Sequence, residues 1–364
     1  MNQIFFGDCR NTMQNLIDQN IKVQTCITSP PYFGLRDYGV SGQLGLEETV
    51  DEYVQNMVEV FRLVRELLHD DGTLWLNLGD SYAGSGRGQY IHGTNDPKQP
   101  KVKGQVLPRN KAAQSKLKPK DLIGIPWRVA FALQDDGWYL RQDIIWNKPN
   151  PMPESVTDRC TKSHEYIFLF SKSRKYYFNN EAIKEPVAES SLKRLAQNID
   201  AQNGSSRAVG KTNGTMKAVI SRSARDSFKR TESKRAVVHP NQAAGTHRAE
   251  RVDSEYDLLT RNKRSVWQVA TKPYKGAHFA TYPVELIEPC VLSGSRVNDI
   301  VFDPFMGSGT TAEAALKNKR NYLGCELNHE YAQLQIDRLK PFQETKPMIK
   351  RVKFYQADLF EEIA

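Results

Sequence analysis

"IVFDPFMGSGTTAEAAL", residues 300–316, runs from an apolar, β-branched segment through a glycine-rich turn into residues suited to a helix. Gly307, Gly309 and Ala312 stand at the G-x-G-x-x-G/A spacing. Such a turn lets a ligand approach the backbone where a helix begins. "NYLGCE" then reads as a second strand, ending in Glu326. An acid about 20 residues beyond the glycines can grip a pair of ribose hydroxyls. Taken alone, the spacing also fits a nicotinamide dinucleotide site or a plain strand-to-helix turn.

Two details oppose a dehydrogenase. Asp303 and Pro304 precede the glycines, which puts a carboxylate at the strand end. Beside a pyrophosphate that charge is unfavourable, whereas beside an amino group it helps. Position matters as well: only 55 of the 364 residues follow Gly309. The remaining strands of a nucleotide-binding sheet must therefore come from the N-terminal half.

That half supplies them. "IKVQTCI" (21–27) reads as a strand, and Val50 to Leu68 repeats apolar residues at three and four spacing, the mark of an amphipathic helix. "HDDG" (69–72) predicts a turn, "GTLWLNLGD" a strand ending in Asn77 and Asp80, and "IPWRVAFALQDDG" (125–137) a helix opened by proline. "WYLRQDIIWNK" and "SHEYIFLFSKS" are further strands, and "YPVELIEPCVL" a further helix. Regular alternation of strand and helix predicts a doubly wound, mostly parallel α/β sheet.

Two stretches break the alternation. Residues 84–120 carry nine Lys/Arg against one acid, Asp96, without periodicity; they read as a long basic loop. Residues 185–265 carry sixteen Lys/Arg against nine Asp/Glu and few bulky apolar residues; they read as an insertion. The net charge of +9 is thus concentrated in two segments, as a nucleic-acid surface requires, though two solvated loops would look the same. At 39% hydrophobic the chain can bury a core. The five cysteines (Cys9, Cys26, Cys160, Cys290, Cys325) contain no CxxC pair, so neither a metal site nor a disulfide framework is expected. With no secretion-type N-terminus and no run of about 18 apolar residues, a soluble, cytoplasmic protein is expected.

One further stretch is odd. "TSPPYFGLRDYG" (28–39) ends the first buried strand in two prolines and a tyrosine. Prolines fix the local backbone and donate no hydrogen bond, so they hold a carbonyl in a set direction with no competing N–H. With "GQLGLEETVDEYVQNM", "DGTLWLNLGDSY", "KPKDLIGIPWRVAFALQDDGWYLRQDIIWNKPNPMPESV", "SHEYIFLFSKS" and "RSVWQVATKPYKGAHFATYPVELIEPCV" through "DPFMGSGTT", the chain resembles the site-specific DNA amino-methyltransferases. It resembles those of permuted, beta-type order, in which the SPPY motif precedes the FxGxG motif. The resemblance covers most of the chain, and the joint order of the motifs is far more specific than any one of them.

The resemblance implies S-adenosyl-L-methionine as cofactor, double-stranded DNA as substrate, and a fold of the adenosylmethionine-dependent methyltransferase type. It divides the chain into a catalytic half (1–184), a target-recognition insertion (185–265) and a cofactor-binding half (266–364). It implies that Ser29 and Pro30 accept the two hydrogens of an exocyclic amine, with Pro31 completing the elbow and Tyr32 stacking on a base that has left the duplex. The cofactor side would comprise Asp303, Phe305, Gly307 and Gly309 at the turn and Glu326 at the ribose. Phe279 and Thr281 would lie at the methionine end and Asp8 at the adenine end. A strand-end cap is the alternative reading of Asp8, Asp80 is a weaker candidate of the same sort, and Lys148 and Pro149 are expected near the target base. In this family Ser-Pro-Pro-Tyr is associated with cytosine N4 and Asp-Pro-Pro-Tyr with adenine N6. Cytosine is therefore expected, with adenine open. A homodimer and a cognate restriction enzyme are possible partners by the same resemblance. An RNA or protein methyltransferase and a non-catalytic DNA-binding module remain the distant alternatives.

Overall fold

A computed structural model describes residues 2–35, 37–83, 117–190, 259–272 and 281–343. Within Met1–Ile183 and Arg264–Ala364, which form one compact unit, the strands are β1 (Asn2–Phe6), β2 (Val23–Thr28), β3 (Leu68–Leu78), β4 (Tyr139–Asn147) and β5 (His164–Ser171). Two short strands, β6 (Glu185–Pro186) and β7 (Thr260–Arg261), belong to a second unit, Lys184–Lys263. Returning to the first unit, β8 is Val266–Gln268, β9 Ile300–Asp303 and β10 Asn321–Glu326. The helices are α1 (Cys9–Asp18), α2 (Val50–Leu67), α3 (Ile125–Asp135), α4 (Val284–Gly294), α5 (Thr310–Lys317) and α6 (Ala332–Gln343).

Eight strands form one sheet in the order β1-β10-β9-β2-β3-β5-β4-β8. Every pairing is parallel except those of β5, which runs antiparallel to both β3 and β4. The two halves of the chain meet at the centre, where Thr25 and Cys26 of β2 pair with Val301 and Phe302 of β9. All six residues of β2 are buried, as expected of a parallel strand covered on both faces.

The pleat explains the layers. In β5, Phe168 and Phe170 join a core with α1, α2 and α3, while Ile167 and Leu169 join another with α4, α5 and α6. Truncating a fully buried ring such as Phe168 to alanine costs about 3–5 kcal/mol. Thr49 starts α2 with a reciprocal cap: its hydroxyl accepts from the Glu52 N–H, and the Glu52 carboxylate accepts from the Thr49 N–H. The predicted turn at 69–72 is absorbed into β3. Leu68 pairs with Val23 and Thr73 with Thr25, so the extra residues bulge between two paired points.

In the second unit, β6 and β7 pair antiparallel, and the Glu185 carboxylate is held by Lys263 at 3.3 Å and Arg261 at 3.6 Å. The expected insertion (185–265) and basic loop (84–120) fall mostly outside the described residues.

Candidate active site

In an open parallel sheet, ligands bind beyond the carboxyl ends of the strands, where the strand order changes direction. Here β1, β2, β3, β9 and β10 end at Phe6, Thr28, Leu78, Asp303 and Glu326. Just past them stand Asp8, Ser29, Asp80 and the glycine turn. Because β5 runs the other way, its first residues, His164 and Glu165, reach the same edge. One cavity of about 930 Å³ spans this edge and is lined by both the glycine turn and the proline elbow. That is at the upper end for ligand pockets and has room for a nucleoside-sized cofactor beside a base.

On the cofactor side, Gly307 (φ 54°) and Gly309 (φ 89°) adopt the left-handed backbone that favours glycine. Gly309 caps α5 without any side chain across its N-terminus. Glu326, 8% exposed, accepts from the backbone N–H of Gly307 at 2.7 Å and of Asn328 at 2.8 Å. Burial pushes its carboxyl up to about 7, against the pull of those two donors. The Ser308 hydroxyl is buried in the turn with no hydrogen-bond partner, and Ser308 lines the cavity. A buried polar atom without a partner is costly unless a ligand satisfies it. Each Glu326 oxygen also keeps a lone pair for a ribose hydroxyl, so the residues present fit a nucleoside-bearing cofactor.

The other cofactor candidates divide. Phe305 and Thr281 line the cavity, and Phe279 lies outside the described residues. Asp303 and Gly309 do not line it. Asp303 is 1% exposed, and its carboxylate accepts from Thr28 (2.6 Å), Thr311 (2.5 Å), Tyr282 (3.1 Å) and the Phe305 N–H (2.9 Å). Burial raises its carboxyl despite these donors. In this structure the aspartate therefore braces the strand ends behind the turn. Asp8 lines the cavity and is also the cap of α1, taking the Arg10 N–H at 2.8 Å and the Arg10 guanidinium at 2.6 Å. The bond to Arg10 holds its carboxyl below the ordinary value. Asp80 serves chiefly as a remote cap: its carboxylate takes the N–H groups of Gly124 (3.0 Å) and Ile125 (3.0 Å) at the start of α3.

On the elbow side, Ser29, Pro30, Pro31 and Tyr32 all line the cavity. The Tyr53 hydroxyl of α2 donates to the Pro31 carbonyl at 2.9 Å, pinning the elbow from behind. The Tyr32 ring lies against Gly79, where an added Cβ would stand 2.5 Å from the ring. Glu165 and Asn77, to which the sequence reading gave no role, meet the Tyr32 hydroxyl at 2.8 and 3.3 Å. Lys148 forms an ion pair with Glu165. The polar His164-Glu165 pair ahead of an apolar run was the available signal, but its location depends on the reversal of β5. No group of three or more potential metal ligands occurs among the described residues.

The family model of the DNA methylases, covering the N6 and N4 methyltransferases, matches residues 23–337. The chain belongs to that family. Two relatives of this DNA methylase cover most of both chains. Type II methyltransferase M.SmaI of Serratia marcescens is 42% identical over 93% of this chain and 90% of its own length. Type II methyltransferase M.XycI of Xanthomonas campestris pv. cyanopsidis is 40% identical over 93% and 87%. Among solved structures, PvuII DNA methyltransferase, described as cytosine-N4-specific, superposes with a TM-score of 0.52 at 15% identity, covering 99% of this methylase and 88% of that chain. At that identity the likeness speaks for the shared fold. No described helix of the methylase is long and apolar enough to cross a membrane.

Proposed function

We propose that this DNA methylase transfers the methyl group of S-adenosyl-L-methionine to the exocyclic N4 of a cytosine turned out of duplex DNA. The observation that carries the reading is the single cavity joining the glycine turn to the Ser29–Tyr32 elbow. The bound cofactor supplies an electrophilic sulfonium methyl, and everything else falls to the protein.

An exocyclic amine is a poor nucleophile because its lone pair is delocalised into the ring. The Ser29 hydroxyl and the Pro30 carbonyl accept its two hydrogens, draw the nitrogen toward tetrahedral geometry and free the lone pair for in-line attack. Tyr32 supports the base, whose removal from the stack costs a few kcal/mol that the pocket offsets. Positioning supplies much of the rate, since amine and methyl are held as neighbours. Glu326 and Ser308 hold the cofactor's polar groups, with Phe305, Thr281 and Asp8 around it, and Asp303 and Gly309 set the turn. The proton released after transfer leaves to solvent.

Ser29 supports cytosine over adenine, because the aspartate form of the elbow is the one associated with adenine. The relatives are Type II methyltransferases, which supports a role as the modifying partner of a restriction system. Residues 185–265 would read the target and 84–120 would grip phosphates.

Nucleoside mass spectrometry of unmethylated DNA incubated with the protein and labelled S-adenosyl-L-methionine tests this. N4-methylcytosine is expected. N6-methyladenine would overturn the cytosine assignment while keeping the cofactor and the mechanism.

A further inference from the structure

The elbow's hydroxyl groups form a chain that ends in a carboxylate. Glu165 Oε2 lies 2.8 Å from Tyr32 Oη, and a carboxylate paired with an ammonium can only accept, so Tyr32 spends its single O–H there. Burial, with the Glu165 charge beside it, pushes the Tyr32 phenol well above its ordinary value, which keeps it a donor. The Tyr32 oxygen is left to accept, and Ser29 Oγ stands 3.3 Å from it. The Ser29 hydrogen is thereby drawn toward Tyr32. Behind the chain, the Asn77 amide nitrogen donates to Glu165 Oε2 at 3.3 Å and to the Tyr166 carbonyl at 3.0 Å. Lys148 holds the other carboxylate oxygen, and its ammonium lies 4.2 Å from the centre of the Trp146 ring.

We propose that Glu165 is a positioning residue for methyl transfer: acting through Tyr32, it turns the Ser29 hydroxyl so that lone pairs, not hydrogen, face the incoming amine. This rests on the reading that Ser29 accepts an amine hydrogen. A Ser29 hydroxyl left to rotate would set O–H against N–H part of the time. A reversed one would do so always, and activation by Ser29 would be lost.

Glu165→Gln changes that polarity at nearly constant shape. The Lys148 ammonium takes the amide oxygen, so the amide N–H groups face Tyr32 Oη. The Tyr32 hydrogen must then turn toward Ser29, which reverses that bond, or toward Asn77, which leaves the amide N–H competing with Ser29 for the Tyr32 oxygen. Tyr32→Phe removes the middle of the chain while keeping the ring.

The test is a double-mutant cycle read by single-turnover methylation of duplex DNA, with cofactor affinity measured by calorimetry. E165Q is expected to slow transfer about 10²-fold at unchanged cofactor Kd, in the range seen when one transition-state hydrogen bond is lost. In the Y32F background E165Q should cost nothing further, because no hydroxyl remains to carry its effect. If E165Q slows the Y32F enzyme as much as the wild type, Glu165 acts by another route and the inference is overturned. Should E165Q fail to fold, Glu165→Asp, one methylene too short to reach Tyr32, enters the same cycle with the same expectation. Wild-type turnover is measured alongside. No methylated base there overturns the functional reading and this inference with it, whereas additive losses on an active wild type overturn only the inference.

Discussion

The Thr28 hydroxyl donates to the Asp303 carboxylate across 2.6 Å, although the two residues are 275 positions apart in the chain. One closes the strand that leads into the proline elbow, and the other closes the strand that leads into the glycine turn. The bond therefore ties the two cavity-lining loops to each other at the seam between the halves of the sheet.

Asp303→Asn should loosen that seam. An amide nitrogen cannot accept, so hydroxyl donors among Thr28, Thr311 and Tyr282 are left unpaired in a buried place. A loss of roughly 2–4 kcal/mol is expected, from the cost of orphaned buried donors. Chemical denaturation of the variant against wild type measures it, and a loss confined to activity would contradict the bracing role.

Under the proposed function, Glu326 should make cofactor binding depend on pH. Its carboxyl sits at about 7, above the ordinary 4.5, because burial disfavours the charge. The free folded protein therefore holds a proton there that the unfolded chain has lost, and this contribution to stability is present at low pH and fades as pH rises from 4.5 to about 7. The ionised carboxylate can accept from both ribose hydroxyls and does so more strongly than the protonated form, one of whose oxygens has become a donor. Cofactor affinity should therefore rise through pH 7 with release of up to one proton. Calorimetry in buffers of different ionisation enthalpy reads that release, and Glu326→Gln should abolish it while weakening binding about 10–100-fold, as expected for losing charge-assisted hydrogen bonds.

Gly79→Ala should separate the two sides of the cavity. Its Cβ would stand 2.5 Å from the Tyr32 ring, forcing that ring from its seat. Methyl transfer is expected to fall about 10²-fold, the usual cost of an ångström of misplacement, with cofactor affinity unchanged. A parallel loss of cofactor binding would show that the elbow and the turn are not separable.

Asp80→Ala should act on stability before chemistry. Among the described residues it removes the only side-chain cap that α3 has, since Gly124 at that position brings none. The expected loss is about 1–2 kcal/mol, with Asp80→Asn recovering much of it. Thermal unfolding of the three proteins checks the order.

The alternation of strands and helices, the turn at Gly307 and the elbow at Ser29 were legible because each is written in adjacent residues. The reach of Asp80 was not, because the amides it caps lie 44 and 45 positions away. Glu165 could not be placed either. In a sheet assumed parallel, the first residue of a strand lies at the far edge from the site, and only the reversal of β5 brings it round. Asp303 shows a third limit: the motif puts a carboxylate at the strand end but does not say which way it points. Here Tyr282 and Thr311 take it inward.

The first strand, β1, lies in parallel register beside the last, β10, from Asn2 against Tyr322 to Phe6 against Glu326. The first and last of the described strands thus share one margin of the sheet, and the succession of strands behaves as a loop opened at a single place. Which motif is read first is then an accident of where the opening falls. A gene that began at another connection would specify the same ladders, the same cavity and the same neighbours around it.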